Sequence, residues 1–323
     1  MAINPTPEGM ILVGTDGSQC AQRAIDWAAR EAEMRGSRLT ILAAWAPRRS
    51  PDATLWVFGY AGSKLSESIH EQQLVAATEL VVEAARGVRE RYPDLEVQTV
   101  THPGDARDAL VDYGERASLI VVGSRGAGAL SSTVLGSVAF WLTRHSEVPV
   151  AVVPADAEHV VGPTRRGVVV GVGFDPLAAK VVEAAAQEAE ERRSALILAF
   201  CAWDGEASKH RWERVEESEL ESIGVDIVQK LASAVRSEYP HLDVRCRFAR
   251  GAADRFLADT SRHHELLVLG RRISTPLDLV DVGTMAAAVL HHAPFVVMVV
   301  PLTKADDDAL VASGTLFPPA RAV

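Results

Sequence analysis

Four residues at fixed spacing, Gly123, Gly126, Gly136 and Ser137, form the pattern G-x2-G-x9-G-S between two apolar runs, Leu119 to Val122 and Val148 to Val153. Glycine leaves the main chain bare, so an anion can approach its amide groups closely. The unpaired N–H groups at a helix start carry partial positive charge that attracts phosphate. Gly136 and Ser137 open a run with helical character that ends near His145, and the Ser137 hydroxyl adds a hydrogen-bonding group. These residue types in this order can cradle phosphate. The pattern is not the G-x-x-x-x-G-K-S/T loop, since no lysine precedes Ser137. The plainer alternative is a glycine-rich turn and a capped helix with no ligand.

The elements that must position these residues can be followed in order. Met10 to Val13 is a short apolar strand, and Thr15 to Ser18 a turn with a helix cap. Ala21 to Arg35 has helical spacing and stops at Gly36, and Leu39 to Trp45 is a second strand. Pro47 to Ser63 reads as a long loop and Ser66 to Arg91 as a helix. A third strand follows over Leu95 to Thr101, then a helix over Ala106 to Arg116 and a fourth strand into Gly123. Strands alternating with helices predict an α/β fold with a parallel, right-handed, doubly wound sheet that places ligands at the carboxyl ends of its strands. Gly14 to Ser18 and Gly123 to Gly126 both stand at such ends.

The chain contains this pattern twice. Gly123 to Pro154 aligns without a gap with Gly270 to Pro301 (270 − 123 = 147), and the same offset pairs Tyr92 with Tyr239 and Gly104 with Gly251. Near the start the offset is larger (171 − 14 = 157), pairing Gly14 with Gly171 and Ser37 with Ser194. The first copy therefore carries ten extra residues after its second strand, and two homologous domains in tandem are expected. The boundaries are 8–154 and 167–301, with a linker over 155–166 and a tail over 302–323.

The glycine spacing resembles the ATP-binding motif of the universal stress protein family. The resemblance covers 8–301 and implies two tandem Rossmann-like domains of the adenine nucleotide alpha-hydrolase-like type. It implies ATP, with magnesium where ATP brings it, held by Gly14, Thr15 and Asp16, Ala44, Val122 and Gly123, Arg125 and Gly126, and Gly136, Ser137 and Val138. Asp16 in this reading is a carboxylate near the ribose or a bound metal; the alternative is a helix cap, a role open to Ser18 as well. Ala44 gives main-chain hydrogen bonds to adenine, which the resemblance alone implies. Val122 and Val138 line the pocket or merely the core, and Arg125 binds phosphate oxygens or faces solvent. The last strands, Val148 to Val153 and Phe295 to Val300, pair two domains in the family, so a tandem chain would pair them internally as a pseudo-dimer, with a further homodimer open.

The second copy has Ile273 for Gly126, Gly173 for Asp16 and Asp175 for Ser18, while keeping Gly270, Gly283 and Thr284. A β-branched residue at the middle glycine blocks close approach, so the second motif reads as degenerate. Arg271 and Arg272 remain as candidates to reach a phosphate there. The pairs His263-His264 and His291-His292 are read as surface histidines, since adjacent helical residues point about 100° apart and make no ligand pair.

Composition bounds the remainder. The 323 residues are 48% hydrophobic and 24% charged with net charge −10, which disfavours nucleic acid and anionic membranes as partners. Three scattered cysteines, Cys20, Cys201 and Cys246, fit a reducing cytoplasm and small apolar packing roles. No stretch approaches a membrane span. No nucleophile, base and acid assemble into a catalytic site. The expected function is regulatory ATP binding in a stress response, with unidentified protein partners. A slow ATP hydrolase and a nucleotide-free scaffold are the alternatives.

Overall fold

Runs of Val, Ile and Leu too continuous to face water make the strands, and alanine-rich amphipathic stretches make the helices that cover them. A computed structural model describes residues 9–45, 59–126, 135–155, 167–202, 212–214, 216, 222–272, 288–290, 293, 295–306 and 308. The chain divides into two compact units, with the division falling inside a helix after Leu142.

The first unit holds β1 (Met10–Gly14), α1 (Gln19–Arg35), β2 (Leu39–Trp45), α2 (Gly59–Arg91), β3 (Val97–Pro103), α3 (Ala106–Gly114), β4 (Ala117–Gly123) and the first part of α4 (Ser137–His145). Its strands run in the order β3-β2-β1-β4, all parallel, with Val13 opposite Ile41 on one side and Val121 on the other. α1 starts where the Ser18 hydroxyl accepts from Ala21 N–H at 3.1 Å, and stops at Gly36, which sits at φ 62°. Its Ala24, Ile25, Ala28 and Ala32 face is buried.

α3 starts at Asp105, whose carboxylate accepts from Arg107 N–H at 2.8 Å and from the Arg107 guanidinium at 2.9 and 2.7 Å. These hydrogen bonds hold the Asp105 carboxyl down at about 2, against an ordinary 3.8. The folded-state value lies below the unfolded one, so the cap's contribution is present above about pH 4 and lost as pH falls toward 2. Asp105→Ala should cost about 1 kcal/mol at neutral pH, read by chemical denaturation, and only a small part of that at pH 2, where about half of the folded-state carboxyls are still charged. An equal cost at both pH values would show that the carboxylate is not what caps the helix.

The second unit takes the end of α4, then β5 (Val150–Val153), β6 (Val168–Val172), α5 (Ala178–Glu191), β7 (Leu196–Ala202), β8 (Trp212–Arg214), α6 (Ser222–Glu238), β9 (Val244–Gly251), α7 (Ala253–Ser261), β10 (Leu266–Arg272) and β11 (Val296–Leu302). Its strands follow the order β5-β11-β10-β6-β7-β9-β8. β5 and β8 pair antiparallel with their neighbours, Val152 lying opposite Val297 and Arg214 opposite Ala249. The two closing strands of the repeats are thus hydrogen-bonded to each other, and β5 packs with the second unit although it ends the first repeat.

Several expected bounds shift. α2 begins at Gly59, so the end of the expected Pro47 to Ser63 loop is helical, and the rest of that loop lies outside the described residues. β3 starts two residues late and runs to Pro103, because Leu95 N–H is spent on the turn, donating to Tyr92 C=O. Helix α3 ends at Gly114, β5 begins at Val150, and Leu302 belongs to β11 rather than to the tail. β8 was not anticipated, since three residues with Glu213 and Arg214 carry no apolar alternation. Among the described residues no helix is long and apolar enough to cross a membrane.

Candidate functional site

β1 has β2 on one side and β4 on the other, so its carboxyl end opens into a crevice between two neighbours reached by oppositely directed crossovers. A cleft of about 270 Å³ occupies this crevice. Gly14, Thr15 and Asp16 enter it from the end of β1, Ala44 from β2, and Val122, Gly123, Arg125 and Gly126 from β4 and its loop. Gly136, Ser137 and Val138 enter from the start of α4. All eleven expected site residues therefore meet in one place. Ala21, Leu42, Ala106, Leu110 and Ala139 also line it. Each reads in the sequence as an ordinary core residue, and no motif marks them.

The main chain at Ala44 is placed by the strand register. Residues of a parallel strand turn both their N–H and C=O to the same neighbour, alternating along the chain. Leu42 C=O accepts from Thr15 N–H at 2.8 Å, whereas Trp45 C=O accepts from Gly104 N–H at 2.8 Å on the β3 side. Ala44, two residues beyond Leu42, accordingly presents its N–H and C=O to the β1 side, past the end of β1. A planar group with a donor and an acceptor on one edge fits there.

The glycines divide by purpose. A Cβ on Gly123 would lie 2.8 Å from Cys20 Sγ and 3.0 Å from the Cys20 carbonyl carbon and oxygen, so this glycine lets α1 lie against β4. Its counterpart Gly270 meets Val181 of α5 at 2.6 Å in the same way. The anion-approach explanation is therefore unnecessary for the first glycine, whose bareness is used up by a neighbouring helix in both repeats. Gly136 N–H donates to Ser124 C=O at 2.7 Å, closing the base of the loop, and a Cβ there would come within 3.3 Å of Arg125 Cα. Gly126 differs, because its Cβ would meet the Asp16 carboxylate, Oδ2 at 2.7 Å. Of the three motif glycines, Gly126 is the one whose missing side chain makes room for a carboxylate.

Asp16 is exposed and its Oδ1 accepts from Ser18 N–H at 3.0 Å, while Ser18 itself caps α1. The carboxylate stabilises the turn and leaves the capping position to Ser18. Val122 is buried and Val138 half-buried, both on the cleft wall. Arg125 is half-exposed at the rim.

The second repeat uses the corresponding positions differently. Arg272, the counterpart of Arg125, is paired with Asp175 at 2.8 and 3.0 Å. Burial works to raise the Asp175 carboxyl, but the hydrogen bonds from Arg272 and from Leu177 N–H outweigh it and hold it below the usual range. Arg271 is buried and donates to the carbonyls of Arg144, at 2.7 Å, and Ser146. Both arginines that could have reached a phosphate are engaged with protein. Ile273, Gly283, Thr284, His291 and His292 lie outside the described residues. His264 is not a surface histidine: it is half-buried, with Nδ1 2.7 Å from Thr260 O, whereas His263 is exposed. Among the described residues no group of acidic, His and Cys side chains could hold a metal ion.

A sequence profile described as the Universal stress protein family matches residues 9–154 and 164–301. Universal stress protein Rv1996 of Mycobacterium tuberculosis is 28% identical over 305 residues, covering 90% of this chain and 95% of the relative. Universal stress protein Rv2623 of the same organism is 30% identical over 264 residues, covering 81% and 86%. The crystal structure of a universal stress protein from Archaeoglobus fulgidus is similar in fold, with TM-score 0.64 and 16% identity over 92% of this chain and 99% of that one.

Proposed function

The chain belongs to the universal stress protein family, and on that premise we propose that it is a cytoplasmic regulatory protein of the stress response whose N-terminal repeat holds ATP. The supporting observation is the convergence of a projecting main-chain edge at Ala44, a carboxylate at Asp16 and the start of α4 on one cleft. Adenine would be held by the Ala44 N–H and C=O against Val122, and the ribose hydroxyls by Asp16. The phosphates would lie along Gly126, Gly136 and Ser137, where the positive end of α4 opposes their charge. Arg125 at the rim adds a guanidinium. At about 270 Å³ the cleft lies just under the usual range of about 300–1,000 Å³ for ligand pockets. If Asp16 instead turned to a magnesium ion entering with ATP, the ribose hydroxyls would lose it, so the two roles are alternatives.

The second repeat, with Gly173 in place of Asp16 and Arg272 tied to Asp175, serves as a structural or partner-binding half. ATP occupancy regulates partners only through different affinities of the two liganded states. The test is to purify the chain under native conditions, release its small molecules and quantify nucleotide by mass spectrometry. About one ATP per chain is expected, falling sharply in Asp16→Ala. Two per chain would overturn the assignment to the first repeat. ADP accumulating with time would favour a slow hydrolase acting through Asp16, and a nucleotide-free protein that takes up no added ATP would leave a scaffold.

A further inference from the structure

We propose that the second unit has an anion site of its own, lined by Arg214, Arg245, Arg247, His263 and His264, that binds a small molecule carrying a phosphate or polyphosphate group. These residues line a cavity of about 460 Å³, larger than the cleft of the first unit and well within the range of ligand pockets. Arg245 and Arg247 stand two apart on β9 and therefore share a face, Arg214 comes from β8 alongside, and the two histidines follow the end of α7. Phe248 and Phe256, both buried, give the cavity an apolar base.

Among the described residues the positive charge of this cavity outnumbers its acidic partners. Its one carboxylate among the described residues, Asp259, is 3.1 Å from Arg262 Nε, and Arg245 shares an exposed pair with Asp243. Among the described residues, neither Arg214 nor Arg247 has an acidic partner within 4.0 Å. The crowding reaches His264: burial, then the charges of Arg247, His263 and Arg245, push its imidazole below the ordinary value, against a hydrogen bond to Thr260 C=O that raises it. A phosphate group with two negative charges would relieve several of these repulsions, and planar guanidinium groups suit its oxygens.

Comparison of the repeats indicates that this charge is not inherited from the shared fold. Of the cavity's basic residues, Arg245, Arg247 and His264 stand where the first repeat has Gln98, Val100 and Ala117, whereas His263 stands where it has Arg116. Three basic residues of the cavity thus replace neutral ones in a chain whose net charge is −10. The site also lies along β9 rather than at the carboxyl end of β6, so it is not the second copy of the ATP cleft, and it stands independently of that reading.

The test is calorimetric titration of inorganic pyrophosphate into three full-length chains: the parent, Gly126→Val, and the double variant Arg245→Gln with Arg247→Val made in the Gly126→Val background, where the first-unit cleft no longer contributes. Both arginines are exposed, and each replacement is the residue found at that position in the first repeat, so the double variant should fold, as circular dichroism would verify. Binding is expected in the parent and in Gly126→Val, and about a hundredfold weaker in the double variant, about tenfold for each guanidinium lost. A parallel titration of AMP into Gly126→Val and into the double variant separates the sources of the phosphate: AMP binding that is tighter than pyrophosphate and lost with the two arginines assigns a nucleotide, tighter pyrophosphate an inorganic ligand. The proposal is overturned if Gly126→Val binds neither at millimolar concentration. It is equally overturned if the double variant binds as Gly126→Val does.

Discussion

Replacing Gly126 by valine should lower ATP affinity by about a hundredfold while leaving the melting temperature nearly unchanged, a loss equivalent to about two hydrogen bonds to charged groups. The new Cβ would stand 2.7 Å from Asp16 Oδ2, the far end of a short exposed side chain that can swing aside. On the proposed reading, swinging aside would take the carboxylate away from the ribose, and the valine methyl groups would stand in the path of the phosphates. Gly123→Ala is the informative contrast. Its Cβ meets the backbone of Cys20, which cannot move without shifting α1, so its cost should appear as lost stability, about 1–3 kcal/mol by overpacking. Calorimetry for ATP and thermal melts of both variants separate the two effects. Undiminished ATP binding by Gly126→Val would remove the physical basis of the nucleotide reading.

Arg271→Met should destabilise the second unit by about 3 kcal/mol. The guanidinium of this buried residue on β10 is bonded to the carbonyls of Arg144 and Ser146 at the end of α4, where a helix leaves its last C=O groups without intrahelical partners. Methionine fills much of the volume but donates nothing, so two carbonyls lose their donor at about 1–3 kcal/mol each, partly recovered where water reaches them. Arg271→Lys should recover less than half, because one ammonium cannot span both carbonyls in the fork geometry of a guanidinium. Denaturant unfolding checks this, and a cost under about 0.5 kcal/mol for the methionine variant would refute it.

Much of the fold was legible before any coordinates. Strand and helix alternation, the tandem repeat and the meeting of the glycine loop with the Gly14 to Ser18 turn all follow from hydrophobic period and spacing, which are properties of neighbouring residues. The start of α2 was misplaced because glycine and aromatic residues at 56–61 read as loop, while the helix nonetheless extends back to Gly59. β8 escaped notice because a three-residue edge strand needs only a partner's hydrogen bonds and no apolar face.

What the amino-acid order determined by itself was where elements begin, how they repeat and which residue types gather at strand ends. Tertiary structure alone decided what each of those residues is for. Gly123 and Gly126 are identical in sequence terms, yet one admits Cys20 and the other admits Asp16, residues more than a hundred positions away. Arg271 and Arg272 are adjacent, yet one closes a helix and the other neutralises Asp175. Periodicity is set by the backbone geometry of consecutive residues, whereas a side chain's role is set by whatever the closed sheet and its helices bring within a few ångströms of it.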